Sequence, residues 1–185
     1  MTITKAYLNV NAKHGKRFVL KDSEGHQIAT AKDHFWSSIW NSFFGWLVSI
    51  PTTFEMSVKG EPLALESKIQ VFGSKYDIVV GEQKVASLST QNSNYQQPYK
   101  VEVGDEALTL VPYPANTYFE LRTSDSSRKL LALRRDVSNP SNYVFAADES
   151  ISLPTATGLC MAILDSFKKI EMKSPDNCEC RDFYL

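Results

Sequence analysis

TGLCMAILDSFKKI, residues 157–170, is the stretch that decides the fold. Wound as an α-helix, its centre from Leu159 to Leu164 shows apolar side chains on every side, with polar residues confined to the ends. A helix that is hydrophobic all round has to be enclosed. This one is too short to cross a bilayer, which takes about twenty apolar residues. The enclosure must therefore be protein, and Gly158 and Ala162 let its walls come close.

The rest of the chain supplies a wall. An apolar-x-apolar triplet, a polar turn and a returning segment rich in Ala and aliphatic residues recur five times. They run from Phe18 through KDSEGHQ to IATA, from Phe54 through SVKGEP to LALE, and from Ile78 through GEQK to VASL. The last two run from Val101 through GDE to ALTL, and from Phe119 through RTSDSSRK to LLAL. Period-two spacing on either side of a turn carrying Gly, Asp, Ser or Lys reads as a β-hairpin. Gly25, Gly60, Gly81 and Gly104 fall in or beside these turns. Five hairpins and further strands at 6–11, 68–72 and 143–147 make roughly twelve strands. A sheet of that size is expected to close on itself, since closure removes aggregation-prone edges. The prediction is mainly β: a closed barrel around a central C-terminal helix, in one domain over residues 1–170, with a loosely ordered tail at 171–185. A helix in the lumen leaves no room for a small-molecule cavity of the kind open eight-stranded barrels hold.

Features of this order resemble the tubby C-terminal-like superfamily, which includes the plant LURP-one-related proteins, the phospholipid scramblases and bacterial relatives. The resemblance rests on FVLKDSEGHQIATA, KIQVFGSKYDIVVGEQKVASL, YFELRTSDSSRKLLALRR and GLCMAILDSF, and covers most of the chain from Phe18 to Ile170. It implies a twelve-stranded barrel around a hydrophobic helix, and contact with phospholipid in several members without established enzyme chemistry in the tubby branch. The phosphoinositide-binding basic residues of tubby proteins have no position-by-position match here. The nearest basic group is Arg128, Lys129, Arg134 and Arg135, which flanks the LLAL strand and would face lipid headgroups. Arg134 and Arg135 are adjacent on a strand, so only one of them can join a given face.

Composition narrows the functional classes. Twenty Lys and Arg nearly cancel 21 Asp and Glu, so no overall field gathers phosphate-rich polymers, and nucleic acid is not an expected partner. The first ten residues contain no apolar block of the secretory type, and the cysteines number three, an odd count; both point to a cytoplasmic protein with free thiols. Cys178 and Cys180 alone fall short of the four ligands of a structural zinc site, so neither metal nor cofactor is expected. The three His all lie within the first 34 residues, and no nucleophile elbow, phosphate loop or H-E-x-x-H occurs. The chain is read as not an enzyme, the alternative being a site not visible in the sequence, since barrel strands can bring distant Asp and Glu together.

One segment interrupts the hairpins: DHFWSSIWNSFFGWLVSI, residues 33–50, which holds all three Trp. On a wheel of about 100° per residue, Trp36, Ile39, Trp40, Phe43, Trp46 and Leu47 share one face and small polar residues the other. The pattern predicts an amphipathic helix, with Asp33 as N-cap and Pro51 as stop. An uncharged polar face opposite bulky aromatics suits a helix lying in the bilayer interface, with Trp36, Trp40, Phe43, Trp46 and Leu47 in contact with lipid and little dependence on salt. The same face would also serve to cap one end of the barrel or to meet a protein partner.

Overall fold

Period-two alternation does fold the chain into antiparallel hairpins. The computed structural model describes residues 3–11, 17–33, 53–69, 74–90, 99–112, 118–139 and 141–173. The five predicted hairpins are β2 (Arg17–Lys21) with β3 (Gln27–Asp33), β4 (Thr53–Val58) with β5 (Glu61–Ile69), and β6 (Ser74–Val80) with β7 (Gln83–Thr90), followed by two more. Those two are β8 (Tyr99–Val103) with β9 (Glu106–Pro112), and β10 (Tyr118–Thr123) with β11 (Lys129–Arg135). β1 (Ile3–Asn11) pairs with both β2 and β12 (Asn142–Asp148), and this closes a twelve-stranded antiparallel barrel. Its shortest pairing among the described residues is β3–β4, where Lys32↔Glu55 and Asp33↔Phe54 are in register.

All four turn glycines named above have positive φ. The tightest case is the two-residue turn between β4 and β5, where Lys59 (φ 53°) and Gly60 (φ 85°) both take the left-handed conformation. Two successive positive φ values match the strand twist in a two-residue hairpin turn, and Gly adopts them without steric cost.

The strand expected at 68–72 is not a separate element: Lys68 and Ile69 end β5, and residues 70–73 lie outside the described residues. In sequence the break between LALE and the next strand falls at Ser67. In the fold the inward alternation continues through it, because Ser67 is small enough to be buried on the face of Leu63 and Leu65.

The last element, α1 (Leu153–Lys173), runs through the barrel. Ser152 caps it, accepting from the Thr155 amide at 3.3 Å, and residues 154–166 are buried without interruption. Leu159, Met161, Ala162 and Ile163 are at most 1% exposed. At Gly158 the wall is so near that a Cβ would lie 2.5 Å from Ile78 Cγ2. The enclosed part extends beyond the apolar centre to Asp165 and Ser166, which the sequence reading placed at a polar end. They are tolerated because the Tyr76 hydroxyl donates to Asp165 Oδ2 at 2.9 Å and the Ser166 hydroxyl donates to the Ile163 carbonyl at 2.7 Å. Burial, reinforced by the Asp165 carboxylate, pushes the Tyr76 hydroxyl pKa far up. The helix also continues three residues into the expected tail, to Lys173.

Hairpin order sorts the connections between two ends. The turns β2–β3, β4–β5, β6–β7, β8–β9 and β10–β11 and the link from β12 to α1 lie at one end, called here the turn end. The links β1–β2, β3–β4, β5–β6, β7–β8, β9–β10 and β11–β12 lie at the other, the connection end. The helix runs from the first to the second. Gly158 lies against Leu63 and Ile78, Asp165 meets Tyr76 farther along, and the Phe167 ring stacks on Tyr99 and Phe119 at the starts of β8 and β10.

Candidate functional site

The outer face of β1, β12, β11 and β10 carries a groove of about 360 Å³. Register builds it. Tyr118, Arg134, Val144 and Tyr7 lie opposite one another across the four strands. One step toward the turn end, Ala132 lies opposite Ala146, and Glu120 opposite Ala132. Two small side chains side by side leave a floor, and the tyrosines with Arg134 stand above it. Outward alternation fixes which residues face the groove, because Leu131, Leu133, Phe145 and Ala147 are committed to the core.

The Tyr118 wall is held in place. Its hydroxyl donates to Glu120 Oε1 at 2.5 Å, while Arg122 Nε and Nη2 donate to Oε2 at 2.8 and 2.5 Å. Lys129 completes the group, paired with Glu120 and with its Nζ donating to the Tyr118 hydroxyl at 3.2 Å. Burial alone would raise the Glu120 pKa, but the hydrogen bonds from Lys129, Tyr118 and Arg122 outweigh it and hold the carboxyl at about 2. At the other rim, Asp136 is occupied by its own turn, accepting from the Ser138 amide at 2.9 Å and hydroxyl at 2.7 Å. Those bonds, with a smaller contribution from Arg134, lower its pKa. Arg134 is exposed and makes no ion pair within 4.0 Å among the described residues. It is a guanidinium with donors facing solvent, suited to an anion with planar or phosphate oxygens.

The four basic residues singled out in the sequence are not one patch. Arg128 lies in the turn before β11 and is bound to Asp148 at 2.5 Å, whereas Arg134 lies six residues on, about 20 Å along the strand. Arg135 is exposed beside Tyr143 on the opposite face of the strand. Lys129 shares the outer face with Arg134 but is committed to Glu120. Trp36, Trp40, Phe43, Trp46 and Leu47 lie outside the described residues, as do Cys178 and Cys180. The residues flanking the aromatic segment, Asp33 and Thr53, are at the connection end, the end to which Arg134 also belongs. Nearby, the tip of the β11–β12 link presents Val137, 94% exposed. The described Cys160 is a free thiol buried in α1, and burial raises its pKa far above the usual range.

Sequence reasoning missed Tyr7, Tyr118, Ala132 and Ala146. Their alternation was legible, but the cross-strand register that brings two alanines together was not. Among the described residues no helix is long and apolar enough to cross a membrane, and no group of three His, Cys, Asp or Glu could hold a metal ion.

No family model matches the sequence, and no curated protein matches it. Among solved structures, the chain is similar to the X-ray structure of a protein from Arabidopsis thaliana, AT5G01750, with a TM-score of 0.56 at 10% identity. The likeness covers 88% of this chain and 91% of that one, and it is a likeness of fold.

Proposed function

We propose that this chain is a tubby-like barrel domain of the cytoplasm, without catalytic chemistry, whose partner is a phospholipid membrane surface. The observation that carries this reading is the groove over Ala132 and Ala146, in which a solvent-facing Arg134 stands between two tyrosines. A guanidinium next to aromatic hydroxyls suits a phosphate-bearing headgroup, the shallow floor accepts a small group, and the buried Glu120 network keeps the Tyr118 wall preorganised. The likeness of fold to a second barrel and the resemblance to the tubby-like families in sequence order support the same assignment. In this reading the Trp36–Trp46 segment adds apolar contact with lipid.

The experiment is co-sedimentation with phosphatidylcholine vesicles, with and without phosphatidylserine. A basic residue near an anionic surface contributes about 1 kcal/mol, so reversing Arg134 with Arg134→Glu should weaken binding to the anionic vesicles by about an order of magnitude. Lys59→Glu, at the turn end, is the control and should bind like the unmodified chain. Equal binding by Arg134→Glu and the unmodified chain, or no vesicle binding at all, would refute the reading.

A further inference from the structure

The near-zero net charge conceals a separation of charge along the barrel axis. Consider the two strand residues nearest each end. At the connection end, β2, β3 and β5 place Arg17, Lys32 and Lys68 there. β6, β8 and β11 add Lys75, Lys100, Arg134 and Arg135, against which stands one acidic strand residue, Asp33. The β11–β12 link contributes Asp136. The turn end is the reverse. Its turns carry Asp22 and Glu24, Glu82, Asp105, Asp125 and Glu149, against Lys59 and Arg128. On the two strand residues nearest this end, Glu61, Glu102, Glu106 and Asp148 stand against Lys21, Lys84, Arg122 and Lys129, so the acidic excess comes from the turns. Ion pairs occur at both ends: Arg128 is bound to Asp148 at the turn end, and Lys68 to Asp77 and Lys100 to Glu102 among the basic residues of the connection end.

The distance between the ends makes this separation effective. Strands of about seven residues at ~3.3 Å each, tilted as in a barrel, hold the two rims roughly 20 Å apart. The Debye length at physiological ionic strength is about 8 Å. An anionic surface that touches one rim therefore feels that rim and hardly feels the other. One apolar feature also belongs to the basic end: Val137 is fully displayed between Arg134–Asp136 and Ser138.

We infer that the barrel is an electrostatically oriented membrane-docking module: the connection end meets an anionic bilayer surface, Val137 at the contact, and the acidic turn end faces away. The inference rests on the phospholipid reading above and adds its geometry. An acidic rim held beyond two screening lengths repels the wrong approach at long range without weakening the bound state. It also gives first attachment a salt dependence that the uncharged aromatic segment alone would not have.

The test uses the full chain with Cys178→Ser and Cys180→Ser, which leaves the buried Cys160. Two versions are made, Val137→Cys and Asp105→Cys, each carrying an environment-sensitive fluorophore, and both are mixed with phosphatidylcholine–phosphatidylserine vesicles while co-sedimentation is followed in parallel. The label at 137 should shift to the blue and become protected from an aqueous quencher, an effect that weakens as salt is raised. The label at 105 should do neither. If the chain sediments with vesicles but the 105 label shifts, or neither label does, the orientation is wrong while membrane contact stands. If neither version sediments, the inference falls together with the reading it rests on.

Discussion

Gly158 shows how one missing methyl group holds the helix and the barrel together. Alanine in a helix interior is ordinarily favoured over glycine by about 1 kcal/mol. Here the added Cβ would meet Ile78 Cγ2 at 2.5 Å and Leu63 Cδ1 at 3.2 Å. Overpacking of that kind costs about 1–3 kcal/mol, so Gly158→Ala should lower stability in urea unfolding, opposite in sign to the helix-propensity expectation. Adding Ile78→Ala should recover part of the loss, because the two changes share one contact. Glu120 makes a second prediction at this scale. Its carboxyl has a pKa of about 2 in the fold against 4.5 ordinarily. A depressed carboxylate stabilises the native state above its unfolded pKa, and that contribution is lost as pH falls through the folded value. Acid titration of the unfolding midpoint should therefore show the Glu120→Gln variant closing its gap to the unmodified chain between pH 4.5 and about 2. The need for a glycine at 158 was legible in sequence as a need for close approach. Its partners were not, because Ile78 lies 80 residues away and only the register brings it there.

At the scale of elements, the hairpins were readable because period two and turn chemistry are both local. Where the reading failed, a local signal was overridden. Ser67 stood as a break between LALE and the strand expected at 68–72, yet β5 continues to Ile69 because a small Ser67 fits inside. Asp165 looked like the start of a solvated segment, yet it is fully buried because Tyr76 reaches it. The central helix follows from the same logic in reverse: no local cue says what surrounds it, only that something must. Ile163 is 1% exposed inside that enclosure. Replacing it with Asp would bury a carboxylate without a designed partner, at a cost of several kcal/mol, comparable with the whole stability of an ordinary domain at about 5–15 kcal/mol. Circular dichroism and thermal melting of Ile163→Asp should show loss of the cooperative fold, whereas Ile163→Val should melt within a few degrees of the unmodified chain.

For the whole molecule, the fold was legible and the candidate site was not. A groove needs the register of four strands, and β11 has a bulge opposite Leu121/Arg122 that no pattern in the sequence marks. That bulge puts Lys129 on the outer face with Arg134, where strict alternation over five residues would have set the two on opposite faces. Charge was hidden in another way, since a sum over the chain of −1 adds an acidic rim to a basic one. What unites the groove, the basic rim and the exposed Val137 is that they occupy one end of the barrel. The central claim is that this end touches phospholipid. All three tryptophans fall in the aromatic segment between β3 and β4 in sequence, so intrinsic fluorescence reports on that segment without any label. On titration of the full chain with phosphatidylcholine–phosphatidylserine vesicles, the account predicts a blue shift of the tryptophan emission and protection from an aqueous quencher. Emission and quenching that stay unchanged at every vesicle concentration would contradict it.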